Sequence, residues 1–181
     1  MAPGQTKSER PSEVKAPADK ALVDKAMVDK ALANKPLMVI GPVSAGKSTL
    51  LAALGLGPKE VRKTEALVYN QSQSIDTPGE MMAIPRFYNA LILNSSRAYA
   101  VLMVMNGQQP IWLPSKIAKA LKAKVIGVVT KIDVSDQASI KKAELSLKNA
   151  GVEETFQVSP ITGQGLSELR AWLEHSRSII K

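Results

Sequence analysis

Residues Leu37 to Leu54 constrain this chain more than any other stretch, because they spell a strand, a glycine-punctuated loop and a helix in direct succession. Leu37-Met38-Val39-Ile40 runs apolar into Gly41, Pro42-Val43-Ser44-Ala45-Gly46-Lys47-Ser48 follows, and Thr49-Leu50-Leu51-Ala52-Ala53-Leu54 has good helix formers throughout. Gly41, Gly46, Lys47 and Ser48 satisfy G-x-x-x-x-G-K-[ST], the phosphate-binding loop. Chemistry sets the spacing. Gly41 lets the chain leave the strand sharply, and backbone N–H groups of the loop converge on phosphate oxygens at a helix N-terminus. Val43, Ser44, Ala45, Gly46, Lys47, Ser48 and Thr49 are therefore candidate phosphate-binding residues beside Gly41. Lys47 is expected to reach the β and γ phosphates, and the Ser48 hydroxyl to ligate Mg²⁺.

A chain of 181 residues provides one domain with room for a tail. Hydrophobic content of 45% and charged content of 22% are those of a globular protein. No apolar run approaches the ~20 residues of a membrane span, and Met1-Ala2-Pro3-Gly4 opens no secretory signal. With no cysteine there is no disulfide, thiolate metal site or thiol nucleophile, and the cytoplasm is the default expectation. The net charge of +8 divides into seven Lys/Arg against five acids over residues 1–36 and seventeen against eleven thereafter. Read this way the excess is mild and spread along the chain. Few aromatics accompany it, which argues against a nucleic-acid surface.

Residues 1–18 are rich in Pro, Lys, Glu and Ser and are expected to be a disordered tail. Residues 19–36 carry a near-repeat, Asp19-Lys20-Ala21-Leu22-Val23, Asp24-Lys25-Ala26-Met27-Val28, Asp29-Lys30-Ala31-Leu32-Ala33. The composition predicts a helix stopped by Pro36, but a five-residue period makes the apolar groups spiral instead of forming one stripe. It reads as a helical targeting segment or a solvated extension. In the remaining 37–181, Lys59 to Lys63 reads as charged and mobile, and Thr64–Tyr69 and Gln73–Asp76 as two short strands around a polar turn. A helix is expected over Pro85–Asn94, a buried strand over Tyr99–Met105, helical spacing over Pro110–Leu121 despite Pro114, and a second buried strand over Lys124–Thr130. Ser135–Asn149 predicts a helix ended by Gly151, Thr155–Val158 a strand, and Leu166–Ser178 a last helix. Trp112 and Trp172 read as core or half-buried, and His175 as a surface residue. The alternation predicts an α/β fold, a mostly parallel sheet covered on both faces, whose ligands sit at the carboxyl ends of the strands.

The remaining motifs fall on those ends. Asp76-Thr77-Pro78-Gly79 closes the third strand, where a carboxylate can hold a Mg²⁺-bound water and the Gly79 N–H can meet a γ-phosphate. Thr130-Lys131-Ile132-Asp133 fits [NT]-K-x-D. Its Asp133 can accept from the two adjacent N–H donors of guanine, with the Lys131 stem along the base. Ser159-Pro160-Ile161 stands where a loop would back the guanine O6. Each pattern alone is weak, but their joint order resembles a Ras-like P-loop GTPase, with six strands, one of them antiparallel.

Lys63-Thr64-Glu65-Ala66, Ile75-Asp76-Thr77-Pro78-Gly79-Glu80, Arg86-Phe87-Tyr88-Asn89-Ala90-Leu91 and Val125-Ile126-Gly127-Val128-Val129-Thr130-Lys131-Ile132-Asp133 resemble the EutP/PduV family of ethanolamine- and propanediol-utilisation proteins. The likeness extends from residue 37 to about residue 173. It implies GTP/GDP binding with Mg²⁺, association with bacterial microcompartments through shell or cargo partners, and an acetate kinase assignment for the ethanolamine branch. By position it makes Thr64 the switch threonine that joins Ser48 and Asp76 at the metal. Residues 1–36 extend beyond the compact family pattern and are the expected docking segment. Two departures bear on catalysis. Glu80 stands where Ras-type proteins place a water-orienting Gln after Gly79, and Val43 and Ser44 replace two glycines of the Ras-type loop. Lys47, Thr64, Gly79 and Glu80 are thus the candidate catalytic set, with slow intrinsic hydrolysis expected. The link from Ser48 to Asp76 is also short for a GTPase. An acyl phosphotransferase and a non-catalytic shell adaptor are the competing expectations.

Overall fold

The computed structural model describes residues 35–57, 68–70 and 74–179. The tail, the whole near-repeat Asp19–Ala33, Lys59–Lys63, Thr64 with the rest of its predicted strand up to residue 67, and Gln73 lie outside the described residues. Six strands form one sheet in the order β2-β3-β1-β4-β5-β6. They are β1 (Leu37–Ile40), β2 (Val68–Asn70), β3 (Ser74–Asp76), β4 (Ala100–Asn106), β5 (Lys124–Thr130) and β6 (Thr155–Gln157). Strand β2 runs antiparallel to β3, and every other pair is parallel.

The apolar runs become the sheet centre because both of its faces are covered, so alternate residues can all be apolar. In β4, Val101, Met103 and Met105 enter one core while Ala100, Leu102 and Val104 enter the other. Strand β1 divides the same way, Met38 and Ile40 against Leu37 and Val39. The first core is closed by α2 (Glu80–Ala83), α3 (Tyr88–Ser95), α4 (Ile117–Ala120) and α5 (Gln137–Asn149). The second is closed by α1 (Lys47–Ala53) and α6 (Leu166–Ile179). Each Leu or Ile so buried contributes about 1.5–3 kcal/mol, which fixes strand register more firmly than local propensity does.

Helix ends follow from the sequence. Gly151, at φ 93, ends α5 with its own N–H on Lys148 O and the Val152 N–H on Leu147 O, a Schellman motif that needs a left-handed residue. At the other end Asp136 accepts from the Ser139 N–H at 2.8 Å, an N-cap that holds the Asp136 carboxyl below its usual range.

Over Pro110–Leu121 the helical expectation is corrected, since α-helix is confined to Ile117–Ala120. Pro110 and Pro114 lack an N–H and push the residues before them toward extended geometry. The segment runs instead as a strap along α5, where the Leu113 N–H donates to Ser146 Oγ (3.1 Å) and that hydroxyl donates to Ile111 O (2.7 Å). Trp112 lies on the strap's outer side, 68% exposed, and is not the core residue its composition suggests. Trp172 is half-buried, donating from Nε1 to Glu154, and His175 is exposed on α6.

Candidate functional site

The loop Gly41–Gly46 joins β1 to α1 at the carboxyl edge of the sheet. Gly41 is there by necessity, because a Cβ would stand 2.2 Å from the Val104 carbonyl oxygen of β4. Gly46 is left-handed at φ 82. Ser44, at φ 60, holds the same region without a glycine's freedom, a conformation that costs a non-glycine residue roughly 1–2 kcal/mol. Val43 is half exposed at the rim, while Ala45 is fully buried. Thr49 follows Ser48 in the first turn of α1.

Lys47 is turned inward and only 7% exposed. Its Nζ donates to Gly41 O at 3.0 Å and Pro42 O at 2.9 Å. Burial pulls its pKa below the ordinary lysine value, and the carboxylates of Asp76 and then Glu80 act in the opposite direction. Beside it Ser48 Oγ donates to Asp76 Oδ2 at 2.7 Å, bringing the end of β3 against the start of α1. Thr77 is fully buried and donates to Val39 O. Gly79 presses on the loop so closely that a Cβ would lie 2.4 Å from Val43 N. Glu80 begins α2 directly after this contact.

Thr130 connects this cluster to the next. Its hydroxyl lies 2.7 Å from Ala45 O and 3.2 Å from Met105 O, so that its single proton, directed chiefly at the loop, sits between the loop and β4. Lys131 turns the chain with φ 59, Asp133 is exposed on the following 3-10 turn Ile132–Val134, and Ser135 Oγ donates to Lys131 O at 2.6 Å. Ser159 is fully buried. It accepts the Thr162 N–H on Oγ and the Gly163 N–H on its carbonyl, building a tight loop that leaves Pro160 half-buried and Ile161 81% exposed. The predicted residues other than Thr64 thus share the carboxyl edge of the sheet, on the loops after β1, β3, β5 and β6.

Sequence reasoning passed over one residue that shapes this edge, and one structural role of a residue it did name. Asn106 ends β4, and its Oδ1 accepts from the N–H groups of Gln108 (2.9 Å) and Gln109 (3.4 Å). An Asn before a Gly at a strand end is a turn signal that could have revealed it. The bracing of the two halves of the edge by Thr130 had no such signal.

The profile of the PduV-EutP family, described as "Ethanolamine utilisation - propanediol utilisation", matches residues 34–175. The chain is 31% identical over 144 residues to "Propanediol utilization protein PduV" of Citrobacter freundii, covering 78% of this chain and 95% of that protein. It is also 31% identical over 136 residues to "Probable acetate kinase EutP" of Escherichia coli, covering 74% and 86%. Among solved structures, a probable GTP-binding protein engB aligns with TM-score 0.58 at 17% identity over 79% of this chain and 98% of that one. Translation elongation factor SelB of Methanococcus maripaludis, in complex with the GTP analogue GPPNHP, aligns with TM-score 0.57 at 20% identity, and the match spans a third of that longer protein. The fold is therefore that of P-loop GTP-binding proteins, and the chain belongs to the PduV-EutP family.

Proposed function

We propose that the protein binds GTP and GDP with Mg²⁺ at the carboxyl edge of its sheet, hydrolyses GTP slowly, and serves as a switch or tether on a bacterial microcompartment. The observation that carries this reading is Lys47, a cation drawn into the interior and resting on two neutral carbonyls of its own loop. Such burial disfavours the charged form, and a polyphosphate inserted into the loop would offset that cost while its oxygens took over the lysine's hydrogen bonds. Gly41 to Thr49 would supply main-chain amides, and Thr130, Lys131 and Asp133 would surround the base with Ser159, Pro160 and Ile161. The Asp133 carboxylate is suited to guanine, whose N1–H and N2–H₂ present adjacent donors.

Ser48 and Asp76 offer a hydroxyl and a carboxylate at contact distance, the hard oxygen donors that Mg²⁺ prefers. They would hold the ion, with Thr64 joining on the strength of the family resemblance. When bound, the ion supplies positive charge to the β and γ phosphates. Slow turnover follows from Glu80, whose carboxylate is repelled by a γ-phosphate and orients water less well than a neutral amide. The exposed Val43 side chain also crowds the rim an external arginine would cross. Residues 1–36 would carry the contact with shell or cargo proteins.

Calorimetric titration of the full chain with GTP, GDP, ATP and ADP in Mg²⁺ tests the site and its base preference together. Binding of guanine nucleotides well ahead of adenine nucleotides is expected, and no binding of any of the four would overturn the proposal. In single turnover, hydrolysis faster than about 10⁻³ s⁻¹ would contradict the slow-switch reading.

A second reading, transfer of phosphate between a nucleotide and an acyl group, draws on the name of the Escherichia coli relative. Incubation with acetyl phosphate and ADP or GDP separates the two. A switch GTPase makes no nucleoside triphosphate under these conditions.

A further inference from the structure

One long stretch of the sequence carries basic residues without an acidic one. From Met81 to Ile132 the chain contains two arginines and five lysines and not one acidic residue. The strap lies in the middle of this stretch. It also displays two adjacent exposed apolar side chains, Ile111 at 48% and Trp112 at 68%.

The pair is held in place. Pro110 and Pro114 fix the backbone on either side, and the buried Ser146 hydroxyl bridges Ile111 O and the Leu113 N–H. Leu113, 4% exposed, anchors the strap in the first core. At its far end the Lys116 N–H donates to Asn149 O. An indole presented on so rigid a support loses little conformational entropy when a partner covers it, and tryptophan is among the residues that dominate interface energies.

The surroundings are basic. Lys116 is exposed and left-handed where the strap ends. Lys142 is exposed one helical turn before Ser146 in α5, on the helix stripe that the strap follows. The neighbouring carboxylates are already engaged elsewhere, since Glu153 pairs with Lys119 and Glu144 accepts from Gln157 Nε2 near β6. We infer that the strap is a docking surface for an acidic protein partner, which seats Trp112 and Ile111 in an apolar pocket rimmed by carboxylates.

Charge decides among the occupants. A second copy would bring lysine against lysine in a chain of net charge +8, and like charges juxtaposed at an interface cost several kcal/mol. Single-stranded nucleic acid requires aromatic side chains repeated along a basic groove, whereas here one indole stands beside an isoleucine. A membrane surface is entered by an amphipathic helix with one long apolar side, and the strap offers two side chains on an irregular backbone.

The test uses the full chain carrying Trp172→Phe, in which Trp112 is the only tryptophan. A random peptide-display library is selected on this protein, with Trp112→Ala as the counter-selection. The expected peptides are enriched in Asp and Glu with aliphatic or aromatic residues at helical spacing, and their binding shifts the Trp112 emission to the blue. Their affinity should fall about tenfold or more with Trp112→Ala and several-fold with Lys116→Glu or Lys142→Glu, the melting temperatures of all three variants staying at the parental value. Raised salt should slow association. Failure to recover any peptide that discriminates against Trp112→Ala overturns the inference, as does recovery of neutral or basic peptides. So does a Trp112 response to phosphatidylglycerol vesicles or poly(U) in place of the peptides, or sedimentation showing a dimer that Trp112→Ala dissolves. None of these outcomes depends on nucleotide binding.

Discussion

The two ends of the proposed nucleotide site are built on opposite plans. At the phosphate end Lys47, Asp76 and Thr77 are buried, Ser48 is half-buried, and all are already hydrogen-bonded, with Lys47 on the carbonyls of Gly41 and Pro42, Ser48 on Asp76 and Thr77 on the Val39 carbonyl. At the base end the backbone is fixed by tight turns, while Asp133 and Ile161 stand in solvent. A ligand at the first end must exchange existing hydrogen bonds, whereas at the second it meets groups with little to give up. The contrast teaches where affinity and selectivity should reside. On the proposed reading the phosphate end would supply charge in a low-dielectric setting, and the base end would discriminate by pairing.

The largest effect that sharpens this contrast is expected from Lys47→Ala. It should weaken GTP binding by a factor of a hundred or more, yet leave stability of the ligand-free protein within about 1 kcal/mol, because the lost hydrogen bonds are offset by removal of a buried charge. Calorimetry and urea denaturation measure the two. The same burial fixes a pH trend. With its folded-state pKa below the ordinary value of 10.5, Lys47 binds fewer protons in the folded chain than in the unfolded one. Its contribution to stability therefore rises as pH increases through the interval between those values, and Lys47→Ala should flatten that rise in the urea midpoint.

Asp133→Ala should break the base end alone. A fall of about tenfold to a hundredfold in the preference for GTP over ATP is expected in competition titrations, with no change in melting temperature, since the side chain is exposed. Thr130→Val blurs the contrast by cutting the link between the ends. Loss of the hydroxyl that serves Ala45 O and Met105 O should lower unfolding free energy by about 1–3 kcal/mol and weaken all nucleotides alike. The smallest effect is Ser44→Gly, which removes a left-handed side chain. It should raise stability by up to about 1 kcal/mol, read from the denaturant midpoint.

The phosphate loop was legible because its function is written in glycines and a lysine at fixed spacing, and the central strands because uninterrupted apolar runs have few other uses. Ala100–Asn106 and Lys124–Thr130 sit within a residue of where hydrophobicity alone puts them. The strap was misread for a reason that is equally physical. Its apolar residues keep helical spacing, but two prolines remove the donors a helix needs, and the deciding partner, Ser146, lies 33 residues away from Leu113. Trp112 followed the same error, since nothing local says that an indole will be held outward. The concentration of positive charge between Met81 and Ile132 was legible in principle.

Gly107 gives the strap a second significance. Its N–H donates to Thr130 O at 2.9 Å, and the Thr130 hydroxyl reaches Ala45 in the phosphate loop. Thr130 thus joins the backbone three residues ahead of Pro110 to the mouth of the loop, through its carbonyl on one side and its hydroxyl on the other. The mouth of the loop thus borrows its footing from the same residue that anchors the approach to the strap.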